Sequence, residues 1–375
     1  MNKKNKLINS HTRPNVLIAP LDWGLGHATR CIPIIKELTA QECNVFLAAD
    51  KHTFSLLKKE FPSTVFLRIR GYEMSYSRKK NWLAAKVIIQ IPKIIVAIIR
   101  EKRWLNYAIK NYQLDAVISD NRFGMFSKKI TSIYITHQLY IKTGNRFTEK
   151  IIQQIHYYFI KKYKYCWVPD SKENGLAGKL SHPQKIPFNV IYIGPLSRFQ
   201  IILNTQKKYG LLISISGPEP QRTIFENIIL TQLANYKGSA LIVRGLPSEK
   251  KTISSTNEFV KITNHLAAED FNEALNQSEI VISRSGYTTI MDLVKLNKKA
   301  ILIPTPGQTE QEYLAEYLLE KGYFYCTSQE NFSMTETLKK AGDFSYITHN
   351  IPAEEYKNVI REFVLSLKTG NFASQ

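Results

Sequence analysis

Three turns in this sequence put small, hydroxylated or titratable residues where a strand-like run gives way to a helical one. They are PLDWGLGHATR at 20–30, SISGPEPQR at 214–222 and ISRSGYTTIMDL at 282–293. A helix start directs unpaired backbone N–H groups and the positive end of a dipole at whatever lies before it, which suits a phosphate. In the third turn Gly286 permits close approach, and Ser285, Thr288 and Thr289 can supply hydroxyls. Asp292, four residues after Thr288, shares its helix face and can accept from a ribose diol. The plainer alternative, that Ser285 or Thr288 only caps a helix and Asp292 is a solvated acid, stays open. In the second turn Gly217 and Arg222 could meet a diphosphate, or Arg222 could be a surface charge.

The first turn carries Gly24, Gly26, His27 and Arg30. An imidazole at such a turn can act as a general base near neutral pH. Asp120, followed by Asn121 in ISDNRFG, and His137 in YITHQ end other strand-like runs and are the next candidates for the base. Asp120 could instead orient His27, as an acid partner does in a catalytic dyad. GLGHAT lacks the third glycine of a dinucleotide fingerprint, and no Walker A sequence occurs. Cys31, Cys43, Cys166 and Cys326 form no CxxC pair, so neither a zinc site nor a disulfide framework is expected, and a reducing compartment fits. No metal and no cofactor is implied.

The elements that must position these residues repeat one pattern twice. Strand-like runs occur at 15–21, 44–49, 64–70, 116–120, 132–138, 166–169 and 190–194, then at 211–216, 240–245, 259–263, 279–283 and 300–304, with helical stretches between. Short, continuously apolar strands alternating with helices argue for buried parallel sheets, here two of them. The fold class expected is α/β, with two Rossmann-like domains facing across a cleft, 1–196 and 197–353. Ligands of such sheets bind at the carboxyl ends of the strands.

Charge is distributed unevenly over 375 residues. Residues 1–200 hold 33 Lys and Arg against 12 Asp and Glu, whereas 201–375 hold 18 against 19. An excess on one side only is expected of a domain that faces a polyanion, either nucleic acid or an anionic membrane surface. From Arg78 to Lys110 nine basic residues and one acid, Glu101, thread through Trp82, Val87–Ile91, Ile94–Ile99 and Trp104. The stretch 149–165 mixes tyrosines with lysines. Apolar faces with basic and aromatic flanks suit helices lying on an anionic membrane surface; a packed helix pair with solvated lysines is the alternative. Nothing resembling a helix-turn-helix, zinc finger or RNP segment speaks for nucleic acid. The most apolar run, 87–99, is too short to span a bilayer and contains Pro92 and Lys93. The first apolar run is too short for a signal peptide, so a cytoplasmic protein, peripheral to the inner membrane face, is expected.

GLGH in the first turn, SGPEPQR in the second, and SRSGYTTIMDL followed by AILIPTPGQTEQEYLAEYL resemble the MurG-type glycosyltransferases, a group that includes the peptidoglycan N-acetylglucosaminyltransferase and the galactolipid synthases. The resemblance implies the glycosyltransferase-B fold and a nucleotide-diphosphate-sugar donor, a UDP-sugar, in the second domain. It also implies a lipid or lipid-linked acceptor in the first, an inverting, metal-independent mechanism, and a last helix, 354–375, that crosses back to the first domain. His27 matches the family's histidine near the reacting sugar, and Ser285, Gly286, Thr288 and Thr289 match its diphosphate-holding helix start. Asp292 stands where a glutamate usually meets the ribose. Asn264, His265 and Leu266 fall in the base pocket. Gln308, Glu310 and Gln311 fall in the segment that reads sugar hydroxyls, where this chain departs from the two glutamines and asparagine of the peptidoglycan enzyme. That departure counts against N-acetylglucosamine as the donated sugar. A nucleotide-sugar hydrolase of the same fold, or a non-catalytic donor- or lipid-binding subunit, are the alternatives.

Overall fold

The computed structural model describes residues 13–22, 24–72, 83–234, 236–348 and 354–369. Arg78–Trp82 of the basic apolar stretch, and the side chains of Val87–Ile91, lie outside the described residues. The chain forms two compact units, one of residues 1–175, 179–198 and 352–375, the other of 176–178 and 199–351.

The first unit is built on β1 (Asn15–Pro20), β2 (Asn44–Ala49), β3 (Val65–Arg68), β4 (Ala116–Asp120), β5 (Thr131–Ile135), β6 (Tyr165–Val168) and β7 (Val190–Tyr192). All pair in parallel, in the order β3-β2-β1-β4-β5-β6-β7. Between them run α1 (Leu25–Ala40), α2 (Lys51–Glu60), α3 (Leu83–Tyr112) and α4 (Arg146–Ile160). Val16–Ala19 and Ala116–Ile118 are wholly buried, as strands sandwiched between helix layers must be. Each such Val, Leu or Ile contributes roughly 1.5–3 kcal/mol by leaving water.

The second unit repeats the scheme with β8 (Tyr209–Ser214), α5 (Gln221–Leu233), β9 (Ala240–Val243), β10 (Val260–Thr263), α6 (Ala268–Gln277), β11 (Ser278–Ser283), α7 (Tyr287–Lys295), β12 (Lys299–Leu302), α8 (Thr309–Glu320), β13 (Tyr325–Cys326) and α9 (Met334–Asp343). Its parallel sheet has the order β10-β9-β8-β11-β12-β13. α10 (Glu355–Thr369) belongs to the first unit: it packs on α1, and Phe363 meets the buried Trp167 edge-on at 5.5 Å.

In each sheet the strand order reverses once, between β1 and β4 and between β8 and β11. A reversal splays the following loops apart and opens a crevice at the carboxyl ends of the strands. GLGH and Asp120 flank the first reversal, and the Gly217 and Ser285-Gly286 turns flank the second. No helix among the described residues is long and apolar enough to cross a membrane.

Candidate active site

At the first reversal α1 starts from Gly24, whose φ of +132° strains any L side chain and which has open space where a Cβ would stand. The glycine answers a backbone demand rather than crowding. Gly26 is the next glycine of the turn, its carbonyl taken by the Thr29 hydroxyl at 3.1 Å. One turn further the helix presents His27 and Arg30 to the end of β4. Arg30 Nε donates to Asp120 Oδ2 at 2.8 Å, and Arg30 Nη2 grips Asp120 Oδ1. The same Nη2 lies 2.8 Å from His27 Nδ1, while Asp120 Oδ2 is 3.1 Å from that nitrogen. Arg30 Nη1 is 3.2 Å from Nδ1 of His137, which follows β5. Arg30, Asp120 and His137 are buried; His27 keeps 18% of its side chain in solvent and is the member a substrate can reach.

Burial alone would raise the Asp120 carboxyl, but Arg30 and then His27 outweigh it and hold it at about 2. The His27 imidazole is lowered from its usual value, first by burial and then by the Arg30 charge, against the opposing pull of Asp120. Asn121 occupies the left-handed region at φ +56°, accepts from the Tyr134 hydroxyl at 3.1 Å, and so shapes the turn after β4. Behind this quartet a second buried pair braces the same loops. Arg122 Nη1 donates to Glu101 Oε1 of α3 at 2.7 Å and its Nε to the Pro20 carbonyl at 3.0 Å. Glu101 Oε2 accepts from the Tyr72 hydroxyl at 2.7 Å and from the Gly124 N–H at 3.0 Å.

At the second reversal α7 begins with Gly286 as its N-cap and no side-chain capping bond, in contrast to α4, where Asn145 caps Phe147 and Thr148. Thr288, Thr289 and Asp292 are half-buried along its first turns. The Ser285 hydroxyl donates instead to the Gln311 carbonyl at 2.9 Å and ties the start of α7 to α8. Gln311 Oε1 accepts from Thr305 N at 2.9 Å, its Nε2 donates to Gln308 Oε1 at 2.6 Å, and Glu310 sits beside them in the first turn of α8. Thr305 Oγ1 is buried with no hydrogen-bond partner among the described residues, and lies 3.6 Å from where a Cβ on Gly217 (φ +111°) would stand.

Arg222 is not presented to this edge as the sequence suggested. Its Nε donates to Glu219 at 2.5 Å and its Nη1 to Glu226 at 3.1 Å. Glu226 also accepts from Arg244 Nε at 2.5 Å, and Arg244 Nη1 reaches Asn264 Oδ1 at 2.7 Å. Arg222 and Asn264 thus belong to one chain of braces. Asn264 Nδ2 further holds the carbonyls of Glu249 and Lys251, with His265 exposed and Leu266 half-buried ahead of α6.

The cation that sequence reasoning passed over is Arg284. It is buried, donates to the carbonyls of Gln221, Ile303 and Pro304 and to Gln329 Oε1, and lies 4.2 Å from the Phe225 ring centroid. No carboxylate among the described residues pairs with it, and burial lowers its guanidinium to about 10. A lone arginine inside SRSG, between a buried strand and a glycine, was the available signal. No cluster of three or more His, Cys, Asp or Glu among the described residues could hold a metal ion.

Residues 240–367 match the glycosyltransferase family 28 C-terminal domain. Over 323 residues, 81% of this chain and 82% of the relative, the chain is 24% identical to the UDP-N-acetylglucosamine--N-acetylmuramyl-(pentapeptide) pyrophosphoryl-undecaprenol N-acetylglucosamine transferase of Histophilus somni. It is 22% identical over 326 residues to an uncharacterised glycosyltransferase of Methanosarcina acetivorans, covering 80% of this chain and 82% of that one. Among solved structures the calicheamicin glycosyltransferase CalG4 aligns with a TM-score of 0.64 at 11% identity over 96% of each chain, and MurG of Acinetobacter baumannii with 0.52 at 12% over 95% of each. At such identities the structural likeness shows the fold, that of the glycosyltransferase-B proteins.

Proposed function

We propose, from the premise that the chain is a glycosyltransferase with the glycosyltransferase-B fold and similar to the MurG-type enzymes, that it moves a sugar from a UDP-sugar to a lipid or lipid-linked acceptor at an anionic membrane surface. What carries the donor half of the reading is Arg284. A buried guanidinium without an acid is costly, and this one stands directly before the uncapped start of α7. A diphosphate bound there supplies the missing negative charge, and Thr305 Oγ1 supplies a hydroxyl in want of a partner. Asp292 takes the ribose. Gln308, Glu310 and Gln311 bound the sugar end, and Asn264, His265 and Leu266 the base.

The reaction that follows is a single displacement. His27 takes the proton of the acceptor hydroxyl as its oxygen attacks the anomeric carbon, and the nucleoside diphosphate leaves on the opposite face with inversion. Fixed protein charges and helix-start N–H groups, set before the reaction, meet the charge that develops on the leaving group. Asp120, held at about 2, is too weak a base for this step and serves to orient His27.

The acceptor half rests on α4 and α3. On α4, Glu149 and His156 turn inward while Phe147 (73% exposed), Ile151, Ile155 and Tyr158 form an outward stripe at helical spacing, an inverted amphipathic pattern. Val96 (62% exposed), Ile95, Ile99 and Tyr107 face outward on α3. Lys102 of α3 lies 4.1 Å from the Phe126 ring centroid and Lys162, just beyond α4, 5.4 Å from the same ring, which brings a basic residue of α3 and one that follows α4 to one aromatic ring. Apolar stripes ringed by Lys and Arg suit an anionic bilayer.

The test is nucleoside-diphosphate release from UDP-, GDP- and dTDP-sugars, with and without vesicles of a bacterial lipid extract. Release from a UDP-sugar that requires the lipid supports the proposal. Release equally fast without lipid means water is the acceptor and overturns the transfer reading.

A further inference from the structure

The quartet around Asp120 contains a conflict that bears on how His27 works. A guanidinium has donors only, and an ionised carboxylate has acceptors only. Arg30 Nη2 and Asp120 Oδ2 both approach His27 Nδ1, at 2.8 and 3.1 Å. If Nδ1 is bare it accepts from Arg30, and the proton of the neutral ring sits on Nε2. If Nδ1 carries the proton it donates to Asp120, and Nε2 has the lone pair a base needs. A doubly protonated ring sets an N–H against the Arg30 N–H groups.

We propose that Arg30 is a positioning residue that competes with Asp120 for His27 Nδ1, and thereby sets the tautomer and charge of the catalytic imidazole. This rests on the reading of His27 as the base. Arg30 is itself fixed by Asp120 and by His137 Nδ1, so the competition is built into the packing. Among the described residues the titratable and charged groups facing His27 are Arg30 on its own helix, Asp120 at the end of β4 and His137 after β5, with Cys31 Sγ 3.9 Å from Asp120 Oδ2. In the resting enzyme Nδ1 is bonded to Arg30 and the ring is neutral with its proton on Nε2. For turnover the ring, which keeps 18% of its side chain in solvent, gives its Nε2 proton to water and takes one from water on Nδ1. Nδ1–H then donates to Asp120, the acceptor O–H bond breaks, and its proton passes to the freed Nε2 lone pair. The bond from the acceptor oxygen to the anomeric carbon forms as the sugar–phosphate bond breaks, its electron pair leaving with the nucleoside diphosphate. The Arg30 charge then helps the imidazolium lose its Nδ1 proton to water, which restores the resting tautomer.

Three measurements separate this proposal from the base reading. In wild type with 15N-labelled histidine, ring-nitrogen NMR at pH 7.5 without ligand, assigned against His27→Gln, is expected to show a neutral His27 ring protonated on Nε2. A resting ring protonated on Nδ1 overturns the proposal without need of any Arg30 variant. In Arg30→Met the Asp120 carboxylate is no longer opposed by a guanidinium at His27 Nδ1, so the acid limb of kcat/KM moves up by about one pH unit or more. Arg30→Lys keeps the charge and is expected to hold the limb at its wild-type position with a lower kcat. An Arg30→Met variant that loses activity equally at every pH, or an Arg30→Lys limb that moves, also refutes it. His27→Gln retaining full turnover would end the base reading, while the tautomer measurement would still report on Arg30.

Discussion

The buried pair between Arg122 and Glu101 offers a quantitative test of how the first unit holds its loops. Replacing Arg122 by Met keeps most of the side-chain volume but leaves the Glu101 carboxylate, 1% exposed, with only the Tyr72 hydroxyl and the Gly124 N–H. Removing one partner of a buried ion pair costs about 3–5 kcal/mol, because the remaining charge is stranded. For a unit of this size that corresponds to a drop in Tm on the order of 10 °C. The loss depends on pH in a defined direction. Burial already raises the Glu101 carboxyl in the wild type, and Arg122 is the strongest influence holding it down. Without Arg122 the folded-state value climbs further above the unfolded one, so the folded variant binds more protons than the unfolded chain. Its stability then falls as pH rises above the ordinary carboxylate range. The penalty is therefore largest near pH 8 and shrinks toward pH 5, where the carboxyl can stay protonated. Urea unfolding followed by tryptophan fluorescence reads this directly, since Trp104 and Trp167 lie in the first unit and residues 199–351 of the second contain no tryptophan. Arg122→Met combined with Glu101→Leu should recover most of the loss. A penalty below about 1 kcal/mol, or one that is the same at pH 5 and pH 8, would refute the reasoning.

Three further outcomes are expected. Thr305→Val removes a buried hydroxyl with no hydrogen-bond partner among the described residues, so stability is unchanged or rises by up to about 1 kcal/mol, while UDP affinity measured by calorimetry falls several-fold; unchanged affinity would take Thr305 out of the donor site. Asp292→Ala weakens UDP binding about tenfold, one charge-assisted hydrogen bond's worth, whereas His27→Gln spares UDP binding and lowers turnover by roughly 10²–10⁴; identical effects in both would contradict the division of roles. Phe147→Glu with Ile155→Glu abolishes sedimentation with anionic vesicles while circular dichroism and UDP affinity stay as in wild type; retained sedimentation would remove α4 from the proposed lipid surface.

Much of the fold was legible because buried parallel strands are continuous apolar runs: AVISD coincides with β4 and NVFLAA with β2. β13 was not, since two residues, Tyr325 and Cys326, carry no periodicity. The three turns could be located from their glycines, as the φ values of Gly24 and Gly217 explain. The partners of the side chains around them could not. Asp120 is 90 residues from the arginine that grips it, and nothing in either local stretch announces the other. Arg222 is the instructive opposite. Its partners stand three residues before and four residues after it, spacings that a helix brings together, so its engagement could have been read from EPQRTIFE.

The membership of α10 in the first unit has a consequence for synthesis. Residues 199–351 are one continuous stretch, complete before α10 leaves the ribosome, whereas the first unit needs both ends of the chain. At about 5–20 residues per second, α10 follows Arg198 by roughly 10–30 s. During that interval the faces of α1 and Trp167 that Tyr356, Ile360, Phe363 and Val364 will cover stand open. The unit that starts the chain is thus the one finished last, and a nascent chain arrested before residue 355 carries an apolar scar that a chaperone would have to shield.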